Sequence, residues 1–230
     1  MNAIILCGGL STRLGEITKS IPKILLPIGD RTVLDWQLEK IKSAGIDSVV
    51  LAAGHLHEVL QKEIGGNRNG VAVHYAIEKE KLGTGGAIKN ALTQVPKPQE
   101  PTLILNGDVL TTVNIPALVD KLKSNSDGII LVTRVDDVAT YGTVEYDKEY
   151  KIRAFKEKEG VHKPGYINAG VYVFMPQMQT YFPHMNTFSI EYDVFPHVQD
   201  LYAHPSDAPW VDVGVPKRLA WARDNWKIFL

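Results

Sequence analysis

The feature that most constrains the fold is an alternation of short apolar runs and helical patterns along the first half of the chain. Residues 3–7 are apolar and stop at Gly8-Gly9, which is typical of a buried parallel strand that ends in a loop. Because strands that alternate with helices need crossover connections, the sequence predicts a Rossmann-like α/β fold with a mixed, mostly parallel central sheet flanked by helices. The other predicted elements of this half are strands at 47–53, 71–77 and 102–106 and helices at 33–44, 55–64 and 87–95.

The second half of the chain has a different pattern. Strand-like segments follow one another without long helices, which predicts an antiparallel extension or lid over the parallel half. Pro216 suits a first helical turn and precedes a predicted closing helix. We therefore expect one domain over residues 1–230, with a first half to about 128, a second half at about 129–214 and a closing helix at 215–230. The strand-like segments are 129–135, 142–146, 152–155 and 167–174.

Composition narrows the class of protein. The 230 residues suffice for one sizeable core, and 44% hydrophobic with 22% charged residues is typical of a globular protein. A net charge of -1 provides no basic field for a nucleic-acid partner. Cys7 is the only cysteine, which excludes an intramolecular disulfide and argues against a cysteine zinc site. No signal peptide or membrane-spanning apolar run is apparent, so a cytoplasmic location without a membrane partner is expected.

A glycine-containing segment, GGLSTRL at 8–14, follows the first predicted strand. Glycines let the backbone approach an anion, successive N–H groups can bind phosphate oxygens, and Arg13 can bind them in a bidentate manner. By itself the segment is equally compatible with an ordinary turn that carries a solvated arginine. It has neither the lysine-bearing pattern of a Walker A loop nor the third glycine of a dinucleotide fingerprint, so those two classes are disfavoured.

Two further segments suit a polyphosphate ligand. Lys23 lies between Pro22 and Pro27, which would hold it in a rigid extended segment. The segment LGTGGA at 82–87 opens a predicted helix, whose N-terminus favours an anion or lets a planar base lie against the backbone.

Two aspartates complete the pattern. Asp108 follows the fourth predicted strand, and Asp212 lies in the segment VDVG near the C-terminus. Mg²⁺ commonly takes one or two carboxylates together with substrate phosphates. Either aspartate alone is more often a turn residue, so the prediction of a metal pair depends on the combination.

These motifs, in this order, resemble the sugar-1-phosphate nucleotidyltransferases. The match comprises GGLSTRL with Pro22-Lys23, then Gly107-Asp108, Glu157-Lys158, Asn168-Ala169-Gly170 and WVDVG at 210–214. It spans nearly the whole chain and implies the nucleotide-diphospho-sugar transferase fold. The segment EKEKLGTGGAIK at 78–89 is most similar to the D-glycero-D-manno-heptose 1-phosphate guanylyltransferases, although Lys81 stands where those relatives tend to carry proline.

The resemblance implies an activity and catalytic residues. Such an enzyme uses Mg²⁺ to transfer a nucleoside monophosphate from a nucleoside triphosphate to a sugar 1-phosphate and releases pyrophosphate. The nucleotide sugar that it makes is used in glycan biosynthesis. Arg13 would hold the departing pyrophosphate, Lys23 the triphosphate, and Lys158 the phosphate of the sugar 1-phosphate. Asp108 and Asp212 would bind Mg²⁺.

The resemblance also assigns the two halves of the domain, the first to the nucleotide and the second to the sugar. On the sugar it places Glu157, Asn168 and the backbone of Gly142, beside Lys158. Around the nucleotide it places Leu6, Gly8, Gly9, Ser11, Thr12, Glu78, Gly83 and Thr84.

The base and the sugar are less constrained than the reaction. A carboxylate at Glu78 can accept both N1–H and N2–H of guanine, but it can also accept the one N–H of uracil, so this residue alone leaves both bases open. The resemblance favours GTP over UTP. A heptose 1-phosphate is the expected acceptor, with mannose, glucose and N-acetylmuramic acid types as alternatives. The oligomeric state stays open, with a homodimer considered.

Two other classes of protein compete with this interpretation. A glycosyltransferase of similar build typically carries an Asp-x-Asp motif, but Val109-Leu110 follows Asp108. A regulatory relative that binds nucleotide sugars without turnover should have lost Arg13, Lys23 or an aspartate, and all are present.

Overall fold

The computed structural model describes residues 1–156 and 160–230 of the chain, so Glu157 and Lys158 lie outside the described residues. The strands are β1 Asn2–Leu6, β2 Pro27–Ile28, β3 Arg31–Thr32, β4 Ser48–Ala53, β5 Asn67–Arg68, β6 Val71–Ile77, β7 Thr102–Asn106, β8 Val109–Thr111, β9 Gly128–Val135, β10 Thr143–Tyr146, β11 Ile152–Lys156, β12 Gly165–Phe174, β13 Leu201–Ser206 and β14 Trp210–Asp212. The α-helices are α1 Val33–Ser43, α2 His57–Ile64, α3 Gly83–Leu92, α4 Ile115–Val119, α5 Ile190–Asp193 and α6 Pro216–Asp224. Short 3₁₀ helices occur at Thr12–Thr18, Lys23–Leu25, Pro176–Tyr181, Phe195–His197 and Trp226–Phe229.

One mixed sheet organises these elements, in the strand order β11-β10-β12-β7-β1-β4-β6-β5. Neighbours among β6, β4, β1 and β7 are parallel. Strand β12 joins β7 antiparallel and also pairs with β9 and β10. The predicted α/β architecture, a parallel core flanked by helices with an antiparallel extension, is confirmed.

The apolar strands bury both of their faces because helices cover both sides of the sheet. In β1, Ile5 packs into a cluster with residues of α1, whereas the adjacent Ile4 packs on the opposite face with residues of α3. Helix α1 begins at a capping box in which the Thr32 hydroxyl accepts from the Asp35 N–H and the Asp35 carboxylate accepts from the Thr32 N–H. Both layers hold the carboxyl ends of β1 and β7 in fixed positions.

Several predicted elements differ from the structure. The helix predicted at 87–95 begins at Gly83 and ends at Leu92, because the glycine segment forms its first turn. The closing helix ends at Asp224 and resumes as the 3₁₀ helix Trp226–Phe229. The second half is not wholly antiparallel, since β13 runs parallel to β9. Strands β8 and β14 are too short for a period-2 pattern to predict.

Among the residues that the structure describes, no helix has both the length and the apolar character needed to cross a membrane.

Candidate active site

Two cavities meet at the carboxyl ends of β1 and β7, the edge where open α/β sheets bind ligands. The first cavity, of about 260 Å³, lies beside Leu6, Gly8, Lys23 and Glu78. The second cavity, of about 500 Å³, lies on the side of β12. Residues Asn106 and Asp108 line both cavities, so the turn after β7 lies at the boundary between them. The second cavity is lined notably by Arg13, Tyr141, Gly142, Asn168, Glu191, Asp212 and Arg218.

The two predicted metal ligands lie side by side at this junction. Strand β14 pairs with β8 so that Asp212 is opposite Val109, and the N–H of Val213 donates to the carbonyl of Asp108 at 2.8 Å. Gly214 faces both carboxylates, because a Cβ there would lie 2.7 Å from Oδ1 of Asp212 and 3.0 Å from Oδ2 of Asp108. The two carboxylates thus approach each other beside a residue that has no side chain, and a pair of carboxylates suits a hard divalent cation that also takes phosphate oxygens.

Each aspartate is also paired with a cation. Nζ of Lys23 lies 2.5 Å from Oδ2 of Asp108, and Nη2 of Arg218 lies 2.8 Å from Oδ2 of Asp212. Burial, and secondarily the nearby carboxylate of Asp108, raises the pKa of Asp212, although the N–H of Gly214 and the cations oppose this shift. The junction is therefore a compact set of alternating charges.

A buried glutamine supports the Asp108 turn from behind. Gln37 on α1 donates from Nε2 to the carbonyls of Asn106 and Val109, at 2.8 and 2.9 Å. These two carbonyls flank Gly107 and Asp108. Gln37 was not predicted as a site residue, because a polar side chain on the inner face of a helix gives no sign of its partner in the sequence.

Glu78 lies in the first cavity, directly against the first glycine segment. A Cβ at Gly8 would lie 2.2 Å from Oε1 of Glu78, so only glycine leaves room for this carboxylate. Oε2 accepts the N–H of Leu82 at 3.3 Å. Burial raises the pKa of Glu78, and the bond from Leu82 partly offsets that shift. An acceptor beside a glycine backbone is suited to the edge of a planar base.

The second glycine segment has a packing role that its sequence did not indicate. The N–H groups of Gly85 and Gly86 both donate to the carbonyl of Phe188, at 3.0 and 3.3 Å. The Thr84 hydroxyl accepts the N–H of Ile190 at 3.0 Å. The two glycine N–H groups are therefore occupied by protein, which removes them from anion binding, whereas Gly83 and Thr84 still border the first cavity.

Arg13 borders the second cavity instead of the first. Its Nη2 lies 3.3 Å from the position that a Cβ of Gly214 would take, beside the aspartate pair. Gly9 is exposed and Ser11 half-buried in the loop after β1, and the exposed Thr12 begins the 3₁₀ helix Thr12–Thr18. Ser11 has a left-handed φ of 52°, a conformation that its neighbours must hold in place.

The far wall of the second cavity is polar. Nδ2 of Asn168 donates to the Tyr172 hydroxyl at 2.8 Å and to Oε1 of Glu191 at 2.6 Å, and its Oδ1 accepts the N–H of Gly170. Gly142 lies in the same cavity. Polar groups arranged around a cavity of this size suit a polyhydroxylated ligand. Tyr172, which is buried behind Asn168, was not predicted, since it falls in no motif.

Cys7 lines the first cavity, where its surroundings disfavour the thiolate. Its thiol lies 3.3 Å from the carbonyl of Ala52, and burial, followed by the charge of Glu78, raises its pKa to about 12. The thiolate is therefore scarce at neutral pH.

Comparisons with known proteins show the family of the chain. A family model described as nucleotidyl transferase matches residues 2–226. The chain is 37% identical over 220 residues to the D-glycero-alpha-D-manno-heptose 1-phosphate guanylyltransferase of Campylobacter jejuni, and the match covers 94% of this chain and 96% of that protein. It is 34% identical over 223 residues to mannose-1-phosphate guanyltransferase beta-A of Xenopus laevis, covering 94% of this chain and 62% of that protein.

A solved structure extends the comparison to three dimensions. HddC from Yersinia pseudotuberculosis, in a crystal structure complexed with GMP-PN, matches with a TM-score of 0.83 and 29% identity over 98% of this chain and 99% of that one. The chain belongs to the nucleotidyl transferase family. The resemblance to sugar-1-phosphate nucleotidyltransferases and the expected fold class are thereby confirmed.

Proposed function

We propose that this protein transfers GMP from GTP to D-glycero-D-manno-heptose 1-phosphate, giving the nucleotide sugar and pyrophosphate. The observation that supports this most directly is the pair of cavities that share Asn106 and Asp108, with Glu78 in the first cavity and Asp212 and other polar groups in the second. The first cavity would hold the nucleotide and the second the sugar, and the single domain would divide between these roles at about residue 128. Such a reaction is expected in the cytoplasm.

The proposed base preference depends on Glu78. Its carboxylate lies against the backbone at Gly8, where a guanine could present N1–H and N2–H to the two oxygens. The relatives named as guanylyltransferases support the same preference. Leu6 and Gly83 line the same cavity and would pack against the base, and Gly9 and Thr84 line it as well. Ser11 and Thr12, which do not line this cavity, would complete the nucleotide site.

The mechanism needs alignment and charge neutralisation more than proton transfer. A sugar 1-phosphate is mostly dianionic at neutral pH, since the second pKa of such a phosphate is about 6, and its oxygen can attack without a general base. Lys23 at the junction would hold the triphosphate, and Arg13 beside the aspartates would hold the departing pyrophosphate. On the sugar side, Asn168, the backbone of Gly142, Glu157 and Lys158 would position the acceptor.

Asp108 and Asp212 would hold Mg²⁺, and the closeness of their carboxylates beside Gly214 supports this assignment. When bound, the ion supplies positive charge to the reacting phosphates. Within the described residues, no group of three or more His, Cys, Asp and Glu side chains could hold a metal unaided, so phosphate oxygens would complete the coordination.

A substrate matrix tests the proposal. Pyrophosphate release would be measured for GTP, UTP, CTP and ATP, each with heptose, mannose, glucose and N-acetylmuramic acid 1-phosphates. We expect GTP with the heptose 1-phosphate to give the highest kcat/KM. Mannose 1-phosphate with GTP is the second candidate, because the Xenopus laevis relative is named for mannose 1-phosphate. A clear preference for UTP or CTP would refute the role of Glu78.

The metal ligands have a separate test. Asp108→Ala and Asp212→Ala should each reduce kcat at least ~10³-fold while the chain stays folded by circular dichroism, because each removes a ligand for the ion that neutralises the phosphates. Asp207→Asn, at an exposed position, is the matched control and should retain activity. Pyrophosphate release near the wild-type rate by either alanine variant would overturn the metal assignment.

A further inference from the structure

Arg218 connects the metal junction to the sugar side of the second cavity. Its Nε donates to the backbone carbonyl of Asp212 at 2.7 Å, and its Nη2 donates to the carboxylate Oδ2 of the same residue at 2.8 Å. Its Nη1 donates to the hydroxyl of Tyr141 at 2.8 Å. One planar guanidinium thus uses three donors on two partners, a geometry that the single ammonium of lysine could not reproduce.

The carboxylate of Asp212 is oriented from both sides. Oδ2 accepts from Arg218, and Oδ1 accepts the N–H of Gly214 at 2.6 Å. A carboxylate has about four lone-pair sites, so each oxygen keeps capacity for a further ligand. Removing Arg218 would free the carboxylate to rotate and would leave it partly buried without its ion pair.

At the other end of the contact, Tyr141 belongs to the segment that borders the second cavity together with Gly142. Its backbone N–H donates to the carbonyl of Val138 at 2.9 Å, and its ring packs edge-on against Trp210 with centroids 6.2 Å apart. Trp210 in turn donates to the carbonyl of Ala169 at 2.8 Å. The tyrosine hydroxyl gives this segment its hydrogen bond to Arg218, whose guanidinium carbon also lies 5.4 Å from the centre of the tyrosine ring.

We propose that Arg218 and Tyr141 form a clasp that couples the geometry of the metal ligand Asp212 to the position of residues 140–142 on the sugar side. Both are positioning residues, and the proposal rests on the function proposed above. The contact links two binding sites through one side chain, so binding at one site biases the other and the effect is reciprocal. The clasp would increase the affinity for the acceptor sugar 1-phosphate when the metal site is in its productive geometry.

Two variants test the clasp in steady-state kinetics. Tyr141→Phe removes one hydroxyl and keeps the ring contact with Trp210, so KM for the sugar 1-phosphate should rise ~5–10-fold while KM for GTP stays within ~2-fold. Arg218→Met should raise that KM similarly and also raise the Mg²⁺ concentration needed for half-maximal rate ~10-fold. Because both act through one contact, Tyr141→Phe should add little to KM in the Arg218→Met background. Arg223→Met, on the same helix, is the matched control and should behave as wild type.

Hydrogen exchange supplies a measurement that does not depend on turnover. The backbone amide of residue 141 should exchange ~5–10-fold faster in Tyr141→Phe and in Arg218→Met than in wild type. Its exchange rate should be unchanged in Arg223→Met. Unchanged exchange in Tyr141→Phe would overturn the clasp, and faster exchange with an unchanged KM for the sugar 1-phosphate would overturn the coupling. If the wild-type protein released no pyrophosphate with any substrate pair, the proposed function would fail, and the exchange experiment alone would decide whether the clasp exists.

Discussion

Gly86 allows a quantitative test of how the second glycine segment packs. A Cβ at this position would lie 2.1 Å from the carbonyl oxygen of Asn186 and 3.0 Å from Cβ of Leu82. The oxygen belongs to the backbone and cannot rotate away, so α3 or the segment around Asn186 must shift by about 1 Å. Overpacking costs ~1–3 kcal/mol, and a clash with an immovable backbone atom belongs at the upper end of that range, ~3 kcal/mol. Replacing glycine by alanine inside a helix gains ~1 kcal/mol, so we expect Gly86→Ala to lose ~2 kcal/mol of unfolding free energy.

Guanidinium denaturation measures the change in unfolding free energy. Gly9→Ala is the matched control, because nothing lies within 4 Å of the Cβ that it would add, and it should unfold within ~0.5 kcal/mol of wild type. An equally or more stable Gly86→Ala would contradict the packing of the 186–190 segment against α3. It would return the glycine segment to the ligand-binding role that its sequence suggests.

Two further predictions concern the support of Asp108 and the protonation of Glu78. Gln37→Met deprives two carbonyls of a donor, so it should lower the unfolding free energy by ~1–3 kcal/mol and raise the Mg²⁺ concentration needed for activity. The control Gln61→Met, at an exposed position, should change neither. A Gln37→Met variant of unchanged stability would refute the role of Gln37 in supporting the Asp108 turn. Burial raises the pKa of Glu78, so the folded chain keeps the carboxyl proton to a higher pH than the unfolded chain does. The contribution of Glu78 to the free energy of unfolding therefore falls as pH rises from the ordinary carboxyl range through the raised pKa. Recognition of guanine needs the ionised form, so KM for GTP should rise as pH falls through that raised pKa; the rise should be absent in Glu78→Gln, and a similar rise in both proteins would contradict the assignment.

The sequence predicted the parallel half of the fold well, because buried strands are continuous apolar runs and crossover helices keep a regular period. Strand β6 has the predicted bounds, Val71–Ile77, and β7 has the predicted bounds, Thr102–Asn106. The second half was harder, since β13 pairs parallel to β9 across about seventy residues of chain. Pairing over that distance leaves no local pattern.

In the candidate site, too, the residues in local motifs were predicted and those that act through distant contacts were not. Motifs at the ends of strands identified Asp108, Asp212 and Glu78, which the structure brings to the two adjoining cavities. Gln37 and Arg218 were not predicted, because both donate hydrogen bonds to backbone carbonyls, which leave no pattern in the sequence. For the glycines at 85 and 86, a motif that is typical of ligand binding proved to have a close packing partner in Phe188.

The narrow turn shared by the two cavities has a consequence for inhibitor design. Asn106 and Asp108 line both spaces, so a molecule that joins a guanosine part to a sugar part through phosphates could occupy both at once. Joining two fragments makes the second binding event intramolecular, and affinity can then exceed that of either fragment by ~10²–10⁴ when the linker fits the span. A bisubstrate compound of this kind should compete with both GTP and the sugar 1-phosphate. The product, which carries the same two parts, should inhibit the forward reaction in the same manner.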